Sequence, residues 1–314
     1  MARQTVMKYL SKAADPRDDV GSGGTAYTID LHGCWGKVNR AKIHIDALRH
    51  QIEQQGYPEV DLSSPERIRN IPLRRKFEPE KGAVVWRIDR LLKVSDDWGL
   101  IAGDAFHNLR CALDHLAWQL AIRKYNGAAP AERRIIKEIQ FPIVLDRDKW
   151  SAHRNRIHML AEDAAKIEKF QPFEMPADDE EQVLAHPLSG LAGFNGFDNI
   201  DKHRTLHLTY IVLKDFRAGM SPNAKYTDCV PILESDFPVV FDSITSERPK
   251  VGDEVMRAMV RPTGPNPDVD FEPRLTGFVA IGESCDILYA LQAMHDAVSS
   301  VIEEFEPPLG TVVA

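Results

Sequence analysis

The stretch DWGLIAGDAFHNLRCALDHLAWQLAIRKYN, Asp97 to Asn126, decides the fold. Ser95 and Asp96 supply a capping signal before it, and Asn126-Gly127 followed by Pro130 supplies a stop. At 3.6 residues per turn, Ala102, Phe106, Leu109, Leu113, Leu116, Ala117 and Leu120 share one face. The opposite arc carries Asp104, His107, Asn108, Cys111, Asp114, His115, Trp118 and Gln119, with Arg110 at its edge. A merely solvated face is usually built from Glu, Lys, Gln and Arg, which favour helix. His, Asn, Cys and Asp are poorer helix formers but better hydrogen-bonding, proton-transfer and metal-binding groups. That arc is therefore the candidate site.

Working outward, Trp35 to Gln55 repeats Val38, Ala41, Ile45, Leu48 and Ile52 at helical spacing and stops at Gly56-Tyr57-Pro58. Ile71–Lys76 and Ala83–Val94, separated by Glu78 to Gly82, read as a β-hairpin. Downstream of the central helix, Ile139 to Val144 is extended. Lys149 to Phe170 reads as one helix through Trp150, His153, Ile157, Leu160, Ala164 and Ile167, and a weaker helical pattern runs from His186 to His203. The period then changes. Leu206–Leu213, Val230–Leu233, Val239–Ser243, Glu254–Arg261 and Leu275–Ile281 read as strands divided by turn residues. Ser284 to Phe305 returns to helix, with Ile287, Leu291, Met294, Val298, Val301, Ile302 and Phe305 as its stripe. The expectation is a mainly helical α+β fold: a bundle of four or five helices with a β-hairpin and a C-terminal antiparallel β portion. Its parts are a flexible lead-in (1–34), a helical core with the hairpin (35–204), the β portion (205–283) and a C-terminal helix packing back on the bundle (284–314).

Composition narrows the function classes. At 314 residues and 43% hydrophobic, the chain is long enough to bury a real core. A net charge of -8 argues against general nucleic-acid coating but leaves room for a local phosphate pocket. Cys34, Cys111, Cys229 and Cys285 are widely spaced, as reduced thiols are, and form no zinc motif. The N-terminus has no apolar signal region and no run of about 18 apolar residues occurs, which implies a cytoplasmic protein with no membrane partner. Walker, Rossmann and nucleophile-elbow patterns are missing, against nucleotide hydrolysis and α/β-hydrolase chemistry.

Arg110 and His115 carry the sharpest chemistry. Five residues set them roughly 140° apart on a helix, so that they would flank a groove. A neutral His can take a proton from a 2'-hydroxyl, while a permanent guanidinium stabilises charge on phosphate oxygens. A second cluster, Asn199-Ile-Asp-Lys-His-Arg204 with His207 behind it, could anchor an anion or orient a catalytic His. The Arg-x4-His helix within a bundle resembles the HEPN superfamily. Many HEPN members are metal-independent endoribonucleases of toxin-antitoxin and phage-defence systems, usually dimers. The wider stretches Gly103–Trp118 and Asp198–Arg204 also resemble a group of uncharacterised bacterial proteins.

The resemblance implies metal-independent RNA cleavage by a homodimer without cofactor. His115 would be general base, Arg110 phosphate stabiliser, and Asp114 or Asp201 the orienter. His107 and His203 would be general acids, while Asn108, Asp201, Lys202 and Arg204 hold RNA or a nucleotide. Each residue also has a structural reading. Arg110 and Asp114 are spaced for a helix-surface pair. His107 and His115 could be satisfied packing residues, Trp118 a core aromatic, and Lys202, His203 and Arg204 a complement to a helix dipole. Two other function classes stay open: a non-catalytic nucleotide- or protein-binding module, and a metal-dependent hydrolase built from Asp104, His107 and His115 with Asp201 or His203.

Overall fold

The computed structural model describes residues 27–54, 72–91, 93–154, 157–175, 182–183, 186–191, 208–213, 225–232, 239–240, 250–270, 276–281 and 285–307. The fold is mainly helical α+β, with antiparallel strands. The chain divides into two units, one of 1–43, 104–199 and 292–314, the other of 44–103 and 200–291.

The central helix α2 spans Asp96–Lys124, and from Asp104 onward it belongs to the first unit. Ser95 Oγ accepts from the Asp97 N–H at 3.3 Å, one of the donors a helix start leaves unpaired. At the other end Asn126 turns left-handed at φ 53°. The Gly127 N–H then reaches Ile122 O at 3.0 Å and the Asn126 N–H reaches Arg123 O at 3.2 Å, a Schellman closure. Both boundary signals in the sequence thus become hydrogen bonds. The expected apolar face from Ala102 to Leu120 is buried throughout. Helix α1 (His32–Gln54) buries Val38, Ala41, Ile45, Leu48 and Ile52. It begins earlier than its apolar spacing implies. Asp30 Oδ1 accepts from the His32 N–H at 2.9 Å, and Tyr27 bonds Gln119, so the last part of the expected lead-in is tied down.

Three short helices follow α2: α3 (Arg133–Glu138), α4 (Arg147–Arg154) and α5 (Ala161–Glu168). The single helix expected over Lys149 to Phe170 is therefore two. Leu160 is extended at ψ 154°, and the Met159 N–H bonds Ile157 O within a tight turn. No Gly or Pro marks that break, so the apolar spacing ran through it. Trp150 of α4 stacks at a tilt on Phe173, with ring centroids 5.7 Å apart, and Arg147 lies 4.9 Å from the Phe173 ring. The C-terminal helix α6 (Ile287–Glu303) is capped by Asp286 Oδ1, which accepts from the Leu288 and Tyr289 N–H groups. Its whole expected stripe is buried. Of the expected His186 to His203 helix only 186–191 is described: His186 is a bend and 187–191 is helical.

In the second unit, β1 (Leu73–Glu78) and β2 (Ala83–Ile88) form the expected hairpin, closed by a 3-10 turn at Pro79–Lys81 and Gly82 at φ 58°. The hairpin is part of a larger sheet. It joins the C-terminal strands through β7 (Glu254–Pro262), in the order β1-β2-β7-β5, with β5 at Cys229–Pro231 and β6 (Val239–Val240) also on β7. Backbone pairing of β2 with β7 is a long-range choice that alternation within each strand cannot reveal. β3 (Leu208–Leu213), β9 (Thr276–Ile281) and β10 (Cys285–Asp286) make a second sheet, and β4 (Lys225–Thr227) pairs with β8 (Asp268–Asp270). Strands β4, β8 and β10 are too short for a period-2 signal. One face of the larger sheet is apolar: Val84, Trp86 and Ile88 pack with Met256, Ala258, Val260, Cys229 and Val269.

A register shift between Trp86 and Arg87 pairs Trp86 with Met256 but Arg87 with Glu254. The extra residue, Val255, is buried. The bulge turns Glu254 onto the face that Arg87 shares with Arg257, and Arg87 donates to Glu254 at 3.1 Å.

Candidate functional site

The two flanks of the α2 polar arc do different work. On one flank, Arg110 Nε and Nη2 donate to the two carboxylate oxygens of Asp114 at 3.3 and 3.0 Å. Nη2 also donates to Phe141 O at 3.0 Å, and Asp114 Oδ1 accepts from the Phe141 N–H at 2.9 Å. The pair thus reads both polar groups of one peptide residue, as a neighbouring strand would, and clamps the extended Ile139 to Val144 segment onto α2. Buried backbone needs such partners wherever no sheet supplies them. Gln171 completes the clamp. Its side chain accepts from the Val144 N–H at 2.9 Å and donates to Pro142 O at 3.1 Å, while its residue is 1% exposed. Phe141 and Val144 are buried as a result.

The Arg110 side chain is 13% exposed, and its Nη1 is buried with no hydrogen-bond partner. The expected Arg110–Asp114 pair is therefore present, and it is more than a surface pair because it holds Phe141. Arg110 does not stand open beside a groove with His115.

On the other flank His115 is exposed and closely approached by the start of α1. A methyl group at Gly33 would lie 3.0 Å from His115 Nδ1, so only glycine leaves the imidazole its present position there. Gln119, one turn further along α2, accepts from Tyr27 Oη at 3.1 Å and from the Asp30 N–H at 3.4 Å. These contacts fix the α1 start against the His115 flank. Asp30 also acts on Cys34: burial first, and then the carboxylate's negative charge, push that thiol up to about 11.

Between the flanks, His107 Nε2 lies 3.5 Å from Cys111 Sγ, one helical turn apart, with His107 exposed. Asn108 turns its amide back to Asp104 O at 2.8 Å, which occupies the amide nitrogen within the helix. Trp118 is half-buried. The structure brings Arg110 to Asp114, His107 to Cys111 and His115 to Gly33, and it separates the Arg110 and His115 surroundings. Asp201, Lys202, His203 and Arg204 lie outside the described residues, as does His207. Among the described residues, no group of three or more His, Cys, Asp or Glu is arranged to hold a metal ion. Nor is any described helix long and apolar enough to cross a membrane.

Three residues that shape the candidate site escaped the sequence. Gln171 looked like a helix end, the backbone of Phe141 carries no residue-type signal, and Gly33 lay inside the presumed lead-in. The Gly33-Cys34 pair just after Asp30-Leu31-His32 could have hinted at a capped, closely packed helix start.

A second polar cluster occupies the sheet. Glu78 pairs with Arg87 at 2.9 Å and with Lys81 at 3.1 Å; Glu254 meets Lys81, Arg87 and Arg257. Arg87 and then Lys81 hold the Glu78 carboxyl down at about 2.

Comparison of this chain with family models, with curated proteins and with solved structures gives no match.

Proposed function

We propose that this chain is a HEPN-like helical module of the cytoplasm that binds a nucleotide or RNA phosphate at the His115 flank of α2 without cleaving it. The observation that carries this reading is the use already made of Arg110. Its Nε and Nη2 donors go to Asp114 and Phe141, so the guanidinium acts as a clamp in the fold. A phosphodiester would need that cation and His115 at the same phosphate. The exposed His115, beside a helix start and the phenol of Tyr27, remains for recognition. All four cysteines are unpaired, in keeping with a reducing compartment.

The metal-independent endoribonuclease is the second reading, and one observation favours it. Arg110 Nη1 is buried without a partner, a donor left over that a phosphate oxygen could take. In that reading His115 is general base, with His107 or His203 as general acid. Either reading accommodates a homodimer, which sedimentation of the purified chain would report as twice the chain mass.

One set of samples separates them: wild type, Arg110→Ala and His115→Ala, each incubated with RNA with and without EDTA, and each titrated with a mononucleotide. The binding reading expects no cleavage in any sample and about tenfold weaker nucleotide binding in His115→Ala. EDTA-resistant cleavage by wild type, leaving 2',3'-cyclic phosphate ends and lost in both variants, establishes the nuclease instead. Neither cleavage nor nucleotide binding by folded wild type overturns both.

A further inference from the structure

The face of the larger sheet opposite its apolar core is basic, in a chain whose net charge is -8. Register assigns its members. Arg74 pairs with Arg87, Lys76 with Val85, Val85 with Arg257, and Arg261 with Val230, and residues directly opposite each other share a face. Arg74, Lys76 and Arg261 are exposed, and no ion pair is formed by any of them among the described residues. Arg87, Arg257 and the neighbouring Lys81 are about a quarter to a third exposed, at 26, 29 and 30%, around the carboxylates of Glu78 and Glu254. Those two acids are shared among three cations, which leaves the exposed trio uncompensated. Among the described residues, Ala83 and Val85 on the same face are buried, Met259 is half-buried, and Val230 is exposed at the rim. The face offers charge to a partner, and little hydrocarbon.

We infer that this face docks the phosphate backbone of single-stranded RNA. Successive same-face residues along a strand are about 6.8 Å apart and neighbouring strands about 4.8 Å apart, so Arg74, Lys76 and Arg261 form a spread of point contacts, not one pocket. A dispersed set of cations suits a polymer with regularly repeated charges better than a single phosphate. Arginine predominates, and its planar fork can take two oxygens of one phosphate. An anionic membrane would share the charge, but the face lacks the aromatic or leucine-rich surface that inserts below headgroups. This docking lies in the second unit and does not depend on how α2 is read.

The test uses the full chain and a fluorescent single-stranded RNA oligonucleotide of mixed sequence, with binding followed by anisotropy between 50 and 200 mM salt. The comparison is with the triple variant Arg74→Ala, Lys76→Ala, Arg261→Ala, which removes exposed side chains only and is checked for unchanged thermal unfolding. At least tenfold weaker binding is expected, with the slope of log affinity against log salt shallower by about 2, since each single-strand phosphate contact contributes about 0.7. Arg134→Ala, which removes an exposed cation of α3 in the first unit, should bind this RNA like wild type, which separates the sheet face from a mere loss of net positive charge. The inference is overturned if wild type does not bind, if the triple variant binds equally well, or if the same substitutions abolish binding to phosphatidylserine vesicles while wild type ignores RNA. Should the triple variant unfold, Lys76→Glu alone replaces it and must weaken binding at least threefold.

Discussion

Arg110 and His115 stand five residues apart on one helix, yet their surroundings have little in common. The Arg110 flank is committed: guanidinium, Asp114 carboxylate and the Phe141 peptide exhaust most of one another's hydrogen-bonding capacity, and Gln171 fastens the next residues. On the His115 flank the imidazole is exposed, with Gly33 against it and with Tyr27 and Asp30 bonded to Gln119 one turn away. A polar residue on a helix thus says that an interaction is needed, while the chain that arrives opposite decides whether it becomes architecture or recognition. The practical lesson is that a motif residue can be diverted into holding the fold while its motif partner remains exposed.

The comparison breaks most readily at Asp114. Asp114→Ala strips the Phe141 N–H of its acceptor and leaves a mostly buried guanidinium with one carbonyl. A loss of about 3 kcal/mol in urea unfolding is expected, and a loss below about 1 kcal/mol would show the clamp to be incidental. Gln171→Ala should cost about 2 kcal/mol, because it leaves the Val144 N–H and Pro142 O unpaired inside the fold; amide exchange at Val144 should accelerate with it. His115→Ala, by contrast, should alter stability by no more than about 0.5 kcal/mol. A larger effect would mean that the two flanks are not different in kind.

A finer probe is Gly33. Alanine normally stabilises a helix relative to glycine by up to about 1 kcal/mol, but here its methyl presses on His115. Gly33→Ala should therefore be close to neutral in the wild-type background and stabilising by a few tenths of a kcal/mol more in His115→Ala, a coupling that a double-mutant cycle reads directly.

The smallest signal comes from the sheet, as a control on what committed charges do. Glu78 is held at about 2, below its ordinary value of 4.5, so its contribution is full above pH 4.5 and is lost as the pH falls towards 2. In Glu78→Gln, the acid limb of the stability profile between pH 4.5 and 2 should be shallower than in wild type. An unchanged limb would mean that the Arg87 contact adds nothing in solution.

How much of this was legible in the sequence follows from the range of the interactions. The apolar faces of α1, α2 and α6 were readable residue by residue because a helix repeats its neighbours every three or four positions. The caps at Ser95 and Asn126 were readable for the same reason, being local hydrogen bonds. The pairing of β2 with β7, the interruption at Leu160 and the clamp on Phe141 were not. The interruption at Leu160 has no Gly or Pro to mark it; the other two depend on a segment far away in sequence, and in the clamp the far partner is backbone, which any residue type supplies. The candidate arc was legible as an inventory: its His, Asp, Asn and Cys lie on one helix, as their spacing implies. Its division into a fastened flank and an open one was not, because nothing in Ile139 to Val144 announces that it will lie on Arg110.

Cys34 gives the molecule a built-in clock. Its side chain is fully buried in the first turn of α1, and its thiol is pushed up to about 11. At neutral pH it is neither accessible nor ionised, so a thiol reagent that has already consumed the exposed Cys285 must wait for α1 to lift away before it can react. The delay between the Cys285 and Cys34 labels counts how often the helix turn that shelters Cys34 detaches, without any engineered probe.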